Sequence, residues 1–173
     1  MPETPLRHAD AIETLFDRTF GPGHFAKTAE RLREYNVTLP GINRVIVTAG
    51  NQLVAVCRVW PIWVESGGGA LFFGPVAVDP GFRGNLLGLA ATLAATEEAA
   101  RRGCKLAVLI GHPPYFGKIG FEPAPDRFSF PGPQDDSRVL VKPLDQSSEA
   151  IKDYRGAIRA APTALNLFSA PVG

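Results

Sequence analysis

Cysteine is scarce in this sequence: two, Cys57 and Cys104, stand far apart among 173 residues. Neither belongs to a Cys-x-x-Cys pair or neighbours a histidine, so neither a disulfide framework nor a zinc site can be built from them. Both read as small core residues of a reducing compartment. Charge of one sign is missing too, since 18 basic against 17 acidic residues leave a formal net charge of +1. That balance offers no broad positive field to duplex nucleic acid. Long apolar runs are absent: the longest, Leu86 to Ala95, stops at Thr96-Glu97-Glu98, short of the roughly 18 residues a membrane span needs. Residues 1–10 include Glu3 and Asp10 and lack the basic-then-apolar order of a secretory signal. A cytoplasmic protein acting on neither nucleic acid nor membrane is the expectation. His8, His24 and His112 have no metal-ligand spacing, so no metal is expected.

What is present is globular. Hydrophobic residues make up 45% of the chain, and glycine at 18 and proline at 16 stay below low-complexity content. The length fits one domain. Ile12, Leu15, Phe16 and Phe20 form an apolar stripe at helical spacing over residues 8–20. A second amphipathic segment, about 25–36, follows the breaker Gly21-Pro22-Gly23. Residues 43–64 are β-branched and aromatic around a turn at Ala49-Gly50-Asn51, which predicts a hairpin whose second strand bends or ends its pairing at Pro61. Ser66-Gly67-Gly68-Gly69 reads as a turn, with an anion-binding nest as the other use of such a run. The apolar strand 70–78 is broken by Gly74-Pro75, which predicts a bulge.

Residues 76–110 carry the functional signal. Val76-Ala77-Val78 leads into the loop Asp79-Pro80-Gly81-Phe82-Arg83-Gly84-Asn85. An alanine-rich helix over about 86–102 follows, with Leu86, Leu89, Ala90 and Leu93 as its expected apolar face and Gly103 as its stop. Leu106 to Ile110 is an unbroken apolar run, so the piece predicts a parallel strand-helix-strand unit. A glycine-bearing loop feeding a helix N-terminus attracts an anion, usually a phosphate. It matches neither a P-loop nor the Gly-x-Gly-x-x-Gly dinucleotide fingerprint, and no Gly-x-Ser-x-Gly nucleophile elbow occurs.

The run from Val76 to Gly88 resembles the acyl-CoA-binding segment of the Gcn5-related N-acetyltransferases, whose loop reads Arg/Gln-x-x-Gly-x-Gly/Ala. Arg83 and Gly88 match, and Leu86 stands where the middle glycine is usual. Pro114 to Phe121 is similar to the family's aromatic-x-x-x-Gly-Phe element. Gly21 to Thr28 and Gly111-His112-Pro113-Pro114-Tyr115 look like YhbS-type predicted acetyltransferases of bacteria. The resemblance covers roughly 5–142. It implies an α/β fold with a mixed central sheet, in which the parallel strands 70–78 and 105–110 splay and flanking helices cover the faces. It also implies acetyl-CoA as co-substrate, with Val76, Ala77 and Val78 along the pantetheine arm and Arg83, Gly84, Asn85, Leu86, Leu87 and Gly88 cradling the pyrophosphate. The acceptor would be a small amine or a peptide amine.

Phe116 aligns with the tyrosine that in many members protonates the departing thiolate, and phenylalanine has no proton to give. Tyr115 is the neighbouring substitute, and His112 is the one group near the strand end with a pKa suited to neutral pH. Glu65 and Asp79 flank strand 70–78 and read as hairpin and turn residues. Leu86 and Phe116 together leave the alternative of a catalytically inactive acyl-CoA-binding or cofactor-free module. Residues 1–142 form the expected family-like domain. Residues 143–173 are the expected extension, with Ser147 and Ser148 capping a helix whose Ile151, Tyr154, Ile158 and Ala161 pack on the same domain or on a second copy.

Overall fold

The computed structural model describes residues 1–21, 28–145 and 150–162. Gly23, His24, Ser147, Ser148 and the terminal Pro171-Val172-Gly173 lie outside the described residues. The first apolar stripe becomes α1 (Pro5–Phe20), which buries Ile12, Leu15 and Phe16. Gly21 at φ 71° ends it, its N–H donating to Asp17 O. α2 (Thr28–Arg33) is described only from Thr28 onward and buries Leu32. β1 (Arg44–Val47) and β2 (Leu53–Ser66) form the expected hairpin. β2 then turns at Gly67, φ 107°, into β3 (Gly68–Val78), so the glycine run serves as a turn. α3 (Leu87–Arg101), β4 (Leu106–Ile110) and α4 (Pro113–Phe116) complete the unit that carries the candidate site. Short β5 (Glu122–Pro123), β6 (Phe128–Ser129), β7 (Val139–Pro143), α5 (Ala150–Asp153) and β8 (Arg155–Ala160) follow.

The sheet runs β5-β7-β4-β3-β2-β8-β6, with β1 also on β2; β3 and β4 are parallel and most other pairs antiparallel. The buried side chains form three clusters, and alternation along the strands places two of them on opposite faces of the sheet around β3. Val45, Val56 and Ala77 pack with Ile12, Leu15 and Phe16 under α1. Cys57, Val59, Leu71 and Phe73 pack with Leu89, Ala91, Ala95 and Ala99 under α3. Each fully buried large apolar side chain contributes roughly 1.5–3 kcal/mol, so these two layers clamp the sheet where β3 and β4 part.

Three expectations need correction. β2 does not end at Pro61: it stays paired with β3 as far as Val64, Pro61 facing Leu71, and its register shift lies at Cys57/Val59, opposite the Gly74-Pro75 bulge. Pro61 O accepts from Ala161 N–H at 3.1 Å on the side away from β3, so the missing proline N–H falls where the β3 ladder does not need it. On α3 only Leu89 of the expected apolar face is buried; Leu86 and Ala90 are exposed and Leu93 half-buried. The sheet-facing side is Gly88, Ala91, Thr92, Ala95 and Ala99, because small residues let the helix axis approach the strands closely. The third correction is residues 155–160: they do not continue a helix but form β8, paired antiparallel with β2 from Ile62 to Ser66. A spacing of four residues satisfies both helical and strand periods, so Tyr154 and Ile158 share an inward face either way. Gly156 at φ 98° departs from helical backbone, and the open stretch of β2 beyond β1 supplies the ladder.

Candidate active site

β3 outruns its parallel partner. Pairing with β4 stops at Phe73↔Leu109, while β3 continues through the Gly74-Pro75 bulge to Val78, still paired with β2. The bulge is held from below by the Trp60 indole N–H, which donates to Gly74 O at 2.7 Å. Asp79 N–H donates to Val54 O at 2.8 Å, and strand alternation turns the backbone groups of Ala77 the same way. The amides and carbonyls of Val76 and Val78 therefore face the gap left by β4. Ala77 itself points its side chain into the core under α1.

The loop after β3 is built on Asp79, a nearly buried residue. Its Oδ1 accepts from Gly81 N–H at 2.9 Å, its carbonyl accepts from Phe82 N–H at 2.8 Å, and its Oδ2 accepts from Arg18 Nη1 at 2.8 Å. The turn Pro80–Phe82 is fixed by these bonds, as the Asp-Pro pairing predicts. Arg83, Gly84 and Asn85 are exposed, Gly84 at φ 89°. Leu86 adopts the left-handed conformation, φ 56° and ψ 23°, and is 49% exposed. The leucine thus reproduces the backbone a glycine would give and directs its side chain to solvent; the strain is about 1–2 kcal/mol. The first-turn amides of α3, from Leu87 and Gly88 onward, lack intrahelical acceptors. They open beside the same gap.

Tyr115 closes the other side. A Cβ on Gly88 would lie 2.9 Å from Tyr115 Oη, 3.2 Å from a γ-carbon of Val78 and 3.3 Å from one of Val76. The phenol, half-buried, is therefore seated between the α3 N-terminus and the free edge of β3. Among the described residues no hydrogen bond reaches its hydroxyl. Phe116 instead lies in the core, 7% exposed, edge-on to Phe121 and pressed against Gly111. Two neighbours on one helical turn point about 100 degrees apart, and here it is Tyr115 that turns toward the gap. His112 sits exposed at the end of β4, its carbonyl accepting from the Tyr115 and Phe116 N–H groups at 3.1 Å.

Other titratable candidates are accounted for. Glu65 lies at the far end of the β2–β3 hairpin, accepting from Ala157 N–H at 3.0 Å. His8 is buried, its Nδ1 accepting from Thr4 N–H at 3.0 Å. Among the described residues no group of three His, Cys, Asp or Glu could hold a metal. Burial pushes both cysteine thiols up to about 12, so neither is a nucleophile near neutral pH. Arg18 is invisible to sequence reasoning: it meets Asp79 across 61 positions, and no local pattern reports such a pairing.

A parallel strand pair that splays beside a glycine-bearing loop and a helix N-terminus, within a mixed sheet covered by helices, is the N-acetyltransferase fold of the Gcn5-related type. The model of the acetyltransferase (GNAT) family matches residues 9–121, and the chain belongs to that family. It is similar to the Escherichia coli GNAT family N-acetyltransferase YhbS, solved in complex with CoA, at 26% identity over 93% of this chain and 88% of that one, TM-score 0.75. The fold is shared with a Brucella melitensis GNAT family acetyltransferase in complex with acetyl-CoA, 18% identical over 93% of this chain and 94% of that one, TM-score 0.66. It is shared also with a chain of the NatC complex bound to Gag peptide and CoA, 15% identical over 84% and 97%, TM-score 0.61. No curated protein matches the chain. Among the described residues no helix is long and apolar enough to cross a membrane.

Proposed function

We propose that the protein transfers an acetyl group from acetyl-CoA to the amine of a small molecule or peptide, in the cytoplasm. The observation that carries this reading is the meeting of three features at one gap: the free edge of Val76 and Val78, the unpaired amides at the start of α3, and the Tyr115 hydroxyl against Gly88. Val76 and Val78 would hydrogen-bond the pantetheine amides, with Ala77 fixing the strand between them. Amides from Gly84 to Gly88 would hold the pyrophosphate, with the Arg83 guanidinium close by for charge.

The chemistry then asks little of side chains. Held beside the thioester, the neutral amine attacks the carbonyl carbon, and positioning supplies most of the acceleration. The new C–N bond forms and the C–S bond breaks. Tyr115 donates its phenolic proton to the departing sulfur, and the proton lost by the nitrogen goes to water or to His112, the exposed imidazole at the end of β4. Tyr115 regains its proton from solvent.

The test is thermal unfolding with acetyl-CoA, using ATP as the nucleotide control. Ligand at about a hundred times its dissociation constant stabilises by roughly 2.7 kcal/mol, and each kcal/mol moves the midpoint of a domain this size by about 2–4 °C. A shift of several degrees with acetyl-CoA alone is expected, followed by amine-dependent release of CoA. No shift at saturation would overturn the cofactor reading; a shift without turnover across a broad amine panel would favour an acyl-CoA-binding protein.

A further inference from the structure

Asp79 is heavily engaged at the root of the cofactor loop, and two of its bonds leave the loop, one to β2 and one to α1. Two of its contacts are local, its carbonyl accepting from Phe82 N–H and its Oδ1 from Gly81 N–H, and a third ties its N–H to Val54 O on β2. The fourth joins Oδ2 to Arg18 Nη1 at 2.8 Å, with the Asp79 side chain 4% exposed and that of Arg18 55% exposed. Arg18 belongs to the last turn of α1, where the helix dipole favours a cation. It lies three residues before the break at Gly21, where α1 gives way to the connection toward α2. An exposed pair of this kind contributes little to stability by itself. A carboxylate buried at the root of a loop is a different case, because without Arg18 its Oδ2 would lose the cation that offsets its desolvation.

We infer that Arg18 is a positioning residue for the cofactor loop, and that its pairing with Asp79 couples α1 to cofactor binding. The inference rests on the acetyl-CoA reading above. The turn Pro80–Phe82 can shift only by moving Asp79, and Asp79 can move only by releasing or carrying Arg18. Anion binding at the α3 N-terminus, which fixes the loop, therefore also fixes the end of α1 on the opposite face of the sheet. Coupling of this kind is reciprocal: whatever orders the end of α1 tightens the cofactor.

Hydrogen exchange on the full chain, with and without CoA, tests this in wild type, Arg18→Gln and Arg18→Lys. In wild type, CoA should slow exchange at residues 80–88 and also, by about fivefold, at residues 13–21. Arg18→Gln should keep the first effect, lose the second and weaken CoA binding about fivefold, and Arg18→Lys should restore both. Protection at 80–88 with α1 unresponsive in all three proteins would overturn the coupling and leave the cofactor reading intact. Equal α1 protection in wild type and Arg18→Gln would overturn the role of Arg18. No CoA-dependent protection anywhere would overturn the cofactor reading and this inference together. A merely structural role would lower the unfolding midpoint of Arg18→Gln and leave the ligand-dependent pattern at α1 unchanged.

Discussion

At the scale of single residues, two adjacent aromatics take different places in the fold. Tyr115 reaches Gly88 with a hydroxyl that has no hydrogen bond among the described residues, whereas Phe116 fills the core against Gly111. Tyr115→Phe should bind acetyl-CoA as wild type does and transfer acetyl about 10²-fold more slowly, as the loss of a general acid predicts; CoA release measured at saturating donor checks it. Phe116→Tyr should bring no gain in rate and should cost about 1–3 kcal/mol, since its added hydroxyl is buried without a planned partner. Activity of the double exchange Tyr115→Phe/Phe116→Tyr at the wild-type level would show that the acid had been assigned to the wrong ring. Leu86 is the second residue-scale case. Leu86→Gly exchanges a left-handed strain of about 1–2 kcal/mol for a backbone entropy cost of roughly 0.5–1 kcal/mol. The unfolding midpoint should rise slightly or hold, and acetyl-CoA titration should show equal or tighter binding, because the backbone already has the shape glycine would give.

At the scale of elements, α3 is bound to the site through its small face. Gly88→Ala places a methyl group 2.9 Å from the Tyr115 hydroxyl and 3.2–3.3 Å from Val78 and Val76. Alanine gains up to about 1 kcal/mol of helix propensity over glycine, so the variant should fold with near wild-type stability. Its transfer rate should fall, because the phenol must move away from the gap. Folding is checked by chemical denaturation and activity by CoA release; undiminished turnover would count against the Tyr115 assignment. The same small-residue face explains why the buried side of α3 differs from the expected apolar one. Leucines advertise a core in sequence, whereas the sheet accepted the alanines, which permit closer approach and leave Leu93 half-exposed. β8 shows the complementary ambiguity. Tyr154, just before the strand, and Ile158 within it are four apart, a spacing common to a helix turn and an alternating strand. Tyr154 Oη donating to Gly69 O at 3.0 Å ties that strand to the root of β3, a bond that a sequence pattern does not report.

At the scale of the whole molecule, burial sets the behaviour of the two thiols. Both titrate near 12 in the folded protein, through desolvation first, against about 8.5 in an unfolded chain. A folded-state pKa above the unfolded value means that the contribution to stability is complete below about 8.5 and is lost as pH rises from there toward 12. The unfolding midpoint should decline over that window, and less steeply in Cys57→Ala/Cys104→Ala. An equally steep decline in the double variant would assign the alkaline loss to other groups. Below pH 8.5 a thiol reagent should label native protein far more slowly than denatured protein.

The sequence by itself determined the family, the parallel unit from β3 to β4, the loop Asp79 to Asn85 and, to within a residue, the start and stop of α3. These are local matters of glycine placement, capping, alternation and apolar runs, and local chemistry is what a sequence states directly. Tertiary structure decided the rest. It turned Tyr115 toward Gly88 and Phe116 into the core by the turn of one short helix, joined Arg18 to Asp79 across 61 positions, and drew residues 155–160 into the sheet beside β2. Each of these depends on which surface meets which once the chain has closed on itself. Contacts between distant segments leave no periodic trace along the chain.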